Sequence, residues 1–339
     1  MRKYLLPEKG NFYKANLHTH TTVSDGRRTP EEVKKAYKER GYSVLAYTDH
    51  EAFCPHNDLT DEDFLVINGC ELSTNENGID DFLYCKTYHL NLYAKDPNCK
   101  YTSVWDAWRL WPAHAKNYLT EEQKNVDYRR WYSVDSINDL IARANAEGFL
   151  VCYNHPVWST QSYPDYADLK GLWGVEVYNK TCAKDGYIDT PQPLDDLLRK
   201  GERLFPVATD DSHGVEDCFG GFVMVKAEKL EYKTVLTALE KGDFYASSGP
   251  EIYGLYLEDG VLHVQCSPAK KVFWTSDRRM TGMVKAGEEP IVEAAMDLNG
   301  FLENSRSIWR KKEAYIRVTV VDENGERAYT RAYFLEELL

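Results

Sequence analysis

Residues 16–26 carry the pattern that most constrains the fold of this chain, because they place two histidines at the end of a predicted strand. The segment reads N-L-H-T-H-T-T-V-S-D-G. Residues two apart in a strand point to the same face, so the imidazoles of His18 and His20 can reach one metal ion. Asp25 follows in a Ser-Asp-Gly turn. Taken alone, the segment is equally explained as a surface strand with two unrelated histidines.

Residues of the same chemical type recur after further predicted strands. A helix signal, T-P-E-E at 29–32, precedes the apolar run 43–48, which leads into T-D-H at 48–50. Because the carboxyl ends of parallel strands meet at one mouth of an α/β barrel, such residues are expected to converge. The candidate metal ligands comprise six of the nine histidines and three carboxylates: His18, His20, Asp25, His50, Glu71, His89, His155, Asp211 and His213.

The order of these motifs resembles the polymerase and histidinol phosphatase (PHP) superfamily over roughly residues 12–250. The matching motifs are H-x-H at 18–20, S-D-G at 24–26, T-D-H at 48–50, N-H-P at 154–156 and D-x-H at 211–213, with Glu71 and His89 between them. The resemblance implies a distorted (β/α)7 TIM-like barrel, an α/β fold that holds two or three divalent metal ions. F-Y-A-S-S-G-P at 244–250 and the β-rich tail resemble the CehA/McbA-type branch of PHP metallohydrolases.

The same resemblance implies three ligand groups. His18, His20, Glu71 and Asp211 would hold one metal; Glu71, His89 and His155 a second, with Glu71 bridging; and Asp25, His50 and His213 a third. Many members carry His where Asp25 stands, which leaves the identity and occupancy of the third ion open. The mixed nitrogen and oxygen donors suit Zn, Mn or Fe, because Mg and Ca prefer oxygen ligands.

Glu71, Asp211 and His213 are the predicted catalytic residues. Three further residues are candidate substrate contacts: Arg27, Asn154 and Lys180. Each of these is also explained by a simpler role, as a solvated surface charge for the two cations and as a turn residue for the asparagine. Asp49 and Asp210 precede ligands, and each is expected either to orient an imidazole or to hold a turn.

The predicted domains are a metallohydrolase barrel over residues 1–250 and a small β-sandwich-like domain over 251–339, where short alternating runs are separated by turn signals. Within the barrel, an insertion at about 96–133 breaks the alternation of strands and helices. It carries four of the eight tryptophans. Its aromatic residues are expected either to pack on the barrel or to form a wall over the site.

The charge and composition of the chain limit the kinds of binding partner that we expect. Lys plus Arg number 41 and Asp plus Glu 54, so the formal charge of −13 argues against a sequence-independent grip on nucleic-acid polymers. The eight cysteines form no C-x-x-C pair, and no secretory signal follows Met1. No apolar run approaches the roughly 20 residues of a membrane span. We therefore expect a cytoplasmic protein with free thiols that acts on a small molecule, in an oligomeric state that the sequence does not indicate.

Three functions fit these features. The first is a metal-dependent phosphoesterase, a phosphatase or phosphodiesterase, that hydrolyses a small phosphorylated substrate through a metal-bridging hydroxide. The second is a carbamate, ester or amide hydrolase with the same metal centre. The aromatic insertion would suit an apolar substrate, and the basic residues are only weak candidates for binding a phosphate group. The third is a metal-binding module without turnover.

Overall fold

The structure, a computed structural model, describes residues 2–76, 83–188, 190–305 and 314–339. Its strands are β1 (Lys3–Tyr4), β2 (Asn11–Asn16), β3 (Val44–Tyr47), β4 (Leu65–Asn75), β5 (Thr87–Ala94), β6 (Phe149–Tyr153), β7 (Gly174–Asn179), β8 (Phe205–Thr209), β9 (Phe222–Ala227), β10 (Phe244–Ser247), β11 (Ile252–Glu258), β12 (Val261–Ala269), β13 (Lys271–Ser276), β14 (Thr281–Lys285), β15 (Ile291–Asp297), β16 (Tyr315–Val321), β17 (Arg327–Thr330) and β18 (Tyr333–Phe334). Its α-helices are α1 (Pro30–Lys38), α2 (Glu121–Lys124), α3 (Val134–Ala146), α4 (Tyr163–Tyr166), α5 (Lys180–Lys184), α6 (Gln192–Arg199), α7 (Tyr232–Lys241), α8 (Asn299–Ser305) and α9 (Leu335–Leu338). Short 3-10 helices lie at Asn57–Leu59, Ala107–Arg109 and Ala113–Asn117.

Strands β2 to β8 lie side by side in chain order within one large sheet. The hydrogen-bonded ladder does not close between β8 and β2; instead, the segments that follow these two strands meet through a parallel bridge between Thr19 and Ser212. Asp211 has a φ of 54°, so the chain has left the strand conformation before the two ends can pair regularly. The mixed α/β fold is as predicted, whereas a closed TIM-like barrel stays a prediction, because no ladder of hydrogen bonds joins β8 to β2 among the described residues.

Strand β5 departs from the expected parallel arrangement. It runs antiparallel to both β4 and β6, while β2–β3–β4 and β6–β7–β8 are parallel. An antiparallel strand presents its first residues, not its last, at the edge where its parallel neighbours end. His89, the third residue of β5, therefore lies opposite Ser73, two residues beyond Glu71.

The helices cover this sheet with apolar stripes at helical spacing. In α3, Ile137, Leu140, Ile141 and Ala144 are all buried. The start predicted for the first helix is confirmed, since Thr29 caps α1 and forms a capping box with Glu32. None of the described helices has the length and apolar character needed to cross a membrane.

The residues after 250 are β-rich and continuous with the barrel strands. Strand β10 pairs with β17, which extends the large sheet through β16 and β13 to β14. A second sheet has the order β1-β11-β12-β15, so the N-terminal strand joins the C-terminal region. One apolar cluster contains Leu45 and Tyr245 from the barrel strands together with Val264 and Ile316 from the tail. The domain boundary near residue 250 stays a prediction.

Candidate metal centre

The structure brings all nine predicted ligands to the edge of the sheet where β2, β3, β4 and β8 end. They form overlapping groups in which one nitrogen or carboxylate oxygen of every member lies within 4.8 Å of the others. The groups are His18, His20, Glu71 and Asp211; His20, Asp25, His50 and His213; His50, Glu71 and His89; and His18, His155 and Glu176. Several residues belong to two groups, as expected for adjacent ions that share ligands.

Glu71 stands at the centre of these groups, and its two oxygens face different imidazoles. Its Oε1 lies 3.0 Å from Nδ1 of His89 and 3.3 Å from Nε2 of both His155 and His18. Its Oε2 lies 3.0 Å from Nδ1 of His50. The side chain has no exposed surface. A carboxylate so placed can bind a different cation with each oxygen.

Some of the side-chain atoms that could bind a metal at this site have no hydrogen-bond partner among the described residues. They include Nδ1 of His20, Nδ1 of His50 and Oε2 of Glu71, all buried. The His50 and Glu71 atoms approach to 3.0 Å without forming a hydrogen bond. Because leaving buried polar atoms unpaired costs free energy, this arrangement fits side chains prepared to bind a divalent cation.

Asp211 lies in the buried part of the cluster, and Asp25 lies in the part nearer the solvent. Oδ1 of Asp211 accepts a hydrogen bond from Nε2 of His20 at 3.0 Å and lies 3.2 Å from Nε2 of His18. Asp25 is nearer the solvent, and its Oδ2 lies 3.3 Å from Nε2 of His213. The ring of His20 stacks against those of both His50 and His213, with centroid distances of 4.2 Å. The group of His20, Asp25, His50 and His213 is the most open to solvent, because Asp25 and His213 are partly exposed.

Two of the predicted ligands adopt left-handed backbone conformations, with φ of 26° at His155 and 54° at Asp211. Glu51, directly after the predicted ligand His50, has a φ of 55°. Non-glycine residues rarely occupy this region, and such strain concentrates at functional sites. Here it turns the chain at the strand ends so that consecutive side chains enter the site.

The electrostatics of the cluster are those of carboxylates surrounded by imidazoles. Burial alone would raise the pKa of Glu71, but His18, His89 and His50 hold it well below its usual range. Burial also opposes protonation of His50, yet Asp25 and Glu71 outweigh it and raise its pKa to about 9. Burial and the neighbouring imidazoles lower the pKa of His20 to about 3. In the metal-free protein, protons thus occupy positions that cations would take.

Glu176, in the middle of β7, is a residue that the sequence reasoning missed. Its Oε1 lies 2.7 Å from Nδ1 of His18 and accepts a hydrogen bond from the Thr209 hydroxyl, also at 2.7 Å. Its Oε2 accepts from the backbone N–H of His155 at 3.0 Å. A carboxylate on one imidazole nitrogen orients the other nitrogen toward a metal. The sequence contains one sign of this role, a single acidic residue in the otherwise uncharged run G-V-E-V-Y.

Asp49 and Asp210 hold turns. Asp49 accepts hydrogen bonds from the backbone N–H groups of Thr21 and Ser24 at 2.7 and 3.1 Å, which fastens the loop that carries Asp25. Asp210 accepts from the backbone N–H groups of residues 219–221 and from the Tyr37 hydroxyl. Of their two expected roles, these contacts match the turn-holding one.

The three predicted substrate contacts lie in different surroundings. Asn154 is buried and donates a hydrogen bond from Nδ2 to Oε1 of Glu71 at 2.8 Å, so it contacts a ligand. Arg27 is exposed and pairs with Glu216 at 2.7 Å. Lys180 begins α5 and is not among the residues that line the cavity. Neither cation is brought to the cluster.

A cavity of about 490 Å³ opens over the cluster. Its floor includes Glu71, His89 and Asp211, and its walls include Trp111 and Trp158. Trp111 belongs to the insertion, and its ring centroid lies 5.2 Å from that of His50. Both expectations for the insertion are met in part, because Trp105 packs in a small apolar cluster whereas Trp111 forms a wall.

The insertion is tied to the site by a buried ion pair. Nη2 of Arg130 lies 2.6 and 2.5 Å from the two carboxylate oxygens of Glu51, and neither side chain is exposed. Glu51 follows His50, and its backbone N–H donates to the carbonyl of Glu71 at 2.8 Å. The Trp105 indole N–H donates to the Glu51 carbonyl at 2.7 Å. These bonds connect the insertion directly to two of the ligand-bearing segments.

No family model and no curated protein matches the chain. Among solved structures, it is similar to a two-domain Bacteroides vulgatus protein containing a predicted PHP-like metal-dependent phosphoesterase, with a TM-score of 0.47, 13% identity and 98% of each chain covered. It is also similar to a Chromobacterium violaceum amidohydrolase, with a TM-score of 0.44, 17% identity, and 68% of this chain and 96% of that one covered. A third similar structure is the lesion-specific endonuclease of Pyrococcus furiosus, with a TM-score of 0.42, 13% identity, and 68% and 56% covered. All three likenesses have TM-scores below 0.5, so the assignment to the CehA/McbA branch stays a prediction.

Proposed function

We propose that this chain is a metal-dependent phosphoesterase that hydrolyses a small phosphorylated substrate at a centre of two or three divalent ions. The supporting observation is the placement of Glu71, whose two buried oxygens face separate sets of imidazoles at 3.0–3.3 Å. A single structural or binding ion would not require a bridging carboxylate.

In this proposal, one ion is held by His18, His20, Glu71 and Asp211. A second is held by Glu71, His89 and His155, and a third by Asp25, His50 and His213. The groups of neighbouring ligand atoms support the first and third sets. His89 and His155 fall in different groups, and the second set rests on their shared approach to Oε1 of Glu71 at 3.0 and 3.3 Å. His50 can serve two groups, because its Nδ1 faces Oε2 of Glu71 whereas its Nε2 faces Asp25. Zn, Mn or Fe suit these mixed donors.

When bound, such ions supply Lewis-acid activation of water and neutralise charge on the phosphoryl oxygens. The protein's own residues would orient the metal ligands and the water. Glu176 keeps Nε2 of His18 directed at the cluster through its contact with Nδ1. Asp211 lines the cavity, and burial notwithstanding, His18 and His20 keep its pKa well below the usual range. Its carboxylate is therefore ionised and can accept a hydrogen bond from a water molecule at the cluster, which would orient that water.

Hydrolysis of a carbamate, ester or amide is the second candidate. The observation that favours it is the absence of any Lys or Arg among the described residues that line the cavity. A phosphomonoester dianion is usually met by such a cation. A carbonyl substrate needs none, and the indole of Trp111 suits an apolar group.

The test combines elemental analysis with four substrates: p-nitrophenyl phosphate, bis(p-nitrophenyl) phosphate, p-nitrophenyl acetate and an aryl carbamate, each with added Mn²⁺ or Zn²⁺. We expect two or three metals per chain and turnover of a phosphate ester. Glu71→Gln should lose both metal and turnover, whereas the exposed Glu216→Gln should keep them. Turnover of the acetate or carbamate alone would select the second candidate. Metal without any turnover would indicate a non-catalytic module, and full activity of Glu71→Gln would refute the metal assignment.

A further inference from the structure

The walls of the cavity differ chemically from its floor. Trp111 and Trp158 come from separate segments, the insertion and the turn after β6. The Trp158 ring centroid lies 5.5 Å from that of His89 and 5.0 Å from that of His155. Trp111 lies 5.2 Å from His50. The rings of His50 and His89 are 5.8 Å apart, so the two indoles pack against neighbouring but different histidines of the cluster.

The backbone that carries each indole is held by hydrogen bonds. The turn carrying Trp158 is fixed by the backbone hydrogen bond from Ser159 to the His155 carbonyl at 3.1 Å. The backbone N–H of Trp111 donates to the Arg109 carbonyl at 2.9 Å, and Nη2 of Arg109 donates to the Arg130 carbonyl, also at 2.9 Å. A Trp side chain has two rotatable bonds, so a fixed backbone limits the entropy lost when a flat group stacks on it.

The charge around the cavity limits the charge of the substrate. No Lys or Arg lies among the described lining residues, and the lining includes the carboxylate of Asp185. The adjacent Lys184 is already paired with Asp185 at 3.3 Å and with Asp217 at 2.9 Å. Beyond the charge that bound metals and the site imidazoles would neutralise, the described lining therefore offers no permanently charged cation for a second negative charge.

We propose, on the basis of the proposed function, that the preferred substrate is a phosphodiester with one negative charge and an aromatic group on the arm that stays on phosphorus, which Trp111 or Trp158 stacks against. Hydrolysis adds water across one P–O bond and gives a phosphomonoester and an alcohol or phenol. The dianionic product is less well matched to the cavity than the substrate, which favours its release. Phosphomonoesters and polyphosphorylated compounds are poor substrates for the same reason.

The test uses two diesters that release the same p-nitrophenolate, bis(p-nitrophenyl) phosphate and methyl p-nitrophenyl phosphate. The ratio of kcat/KM for the first diester to kcat/KM for the second measures the effect of the aromatic second arm. The intrinsic difference in reactivity between the two diesters is the same for every variant, so it cancels when variants are compared. We expect Trp111→Leu or Trp158→Leu to lower this ratio about 5- to 10-fold. Trp131→Leu is the matched control, since Trp131 belongs to the same insertion, is 65% exposed and does not line the cavity. It should leave the ratio unchanged.

Binding gives a readout that is independent of turnover. Diphenylphosphinate and dimethylphosphinate are monoanionic diester mimics whose P–C bonds are not hydrolysed. By calorimetry on the metal-loaded protein, diphenylphosphinate should bind more tightly, and the two cavity variants should lose that preference. An unchanged kcat/KM ratio in both variants, or p-nitrophenyl phosphate outperforming both diesters, would overturn the inference while leaving the phosphoesterase assignment intact. Failure to hydrolyse any phosphate ester would instead refute the assignment itself.

Discussion

Replacing Arg130 by Met should destabilise the protein strongly, because it leaves the buried Glu51 carboxylate without its cation. The guanidinium also donates from Nε to the Ser73 carbonyl at 3.1 Å and to the Thr74 hydroxyl at 3.1 Å. Met fills a similar volume but offers no donor. The backbone N–H of Ser73 would still donate to Glu51 at 2.7 Å, so the carboxylate would keep part of its solvation.

Breaking a buried pair from one side typically costs about 3–5 kcal/mol. An unfolding entropy of roughly 2.1 cal/mol/K per residue gives about 0.7 kcal/mol/K for a chain of 339 residues. The expected fall in Tm is therefore about 4–7 °C. Arg143→Met is the matched control: Arg143 forms a 2.8 Å pair with Asp139 on the surface of α3, and losing such a pair costs less than about 1 kcal/mol.

Thermal and urea unfolding of the metal-free protein would measure both changes. The double variant Arg130→Met with Glu51→Gln should be less destabilised than the sum of the two single variants, by about 1–3 kcal/mol, because it removes the unpaired charge. If Arg130→Met and Arg143→Met lower Tm equally, or if the single-variant effects add, the ion pair does not couple the insertion to the ligand-bearing segments.

Three further outcomes follow from the site. The Glu176→Gln variant should keep its fold but bind metal about 10- to 100-fold more weakly, because His18 loses the carboxylate that orients its ring. Titration with Zn²⁺ would measure the affinity, and circular dichroism would check the fold. In the metal-free protein, the raised pKa of His50, about 9, means that its protonation stabilises the fold below about pH 6.5 and that this stability is lost as pH rises through 9. Tm should fall over that window, and a flat profile would contradict the pairing with Asp25 and Glu71. Metal at 100 times its Kd should add about 2.7 kcal/mol of stability, or roughly 4 °C, which chelation should reverse.

The nine predicted ligands could be found from the sequence because each follows or lies within a recognisable strand. Their recurrence at strand ends requires only that neighbouring strands share an edge. His89 was found by its chemical type, although its strand runs against the predicted direction. Its position near the start of β5 explains why an antiparallel strand still brings it to the cluster.

Glu176, Glu51 and Arg130 were missed for a common reason. Each lies in a segment where local pattern does not reveal the partner, and Arg130 contacts residues more than 50 positions away. A lone carboxylate in a buried strand signals an unusual environment but does not identify what it binds. Lys180 and Arg27 show the converse, because nearness in sequence to a site loop does not bring a side chain into the cavity.

By itself, the sequence determined an α/β scaffold and predicted a ligand set of six histidines and three carboxylates, because these depend on residue identity and local period. Only the tertiary structure decided which oxygen of Glu71 faces which imidazole, how the insertion is tied to Glu51, and that Trp111 and Trp158 form uncharged walls. Those facts arise from contacts between segments distant along the chain. Distances and orientations of that kind are set by packing and not by local propensity.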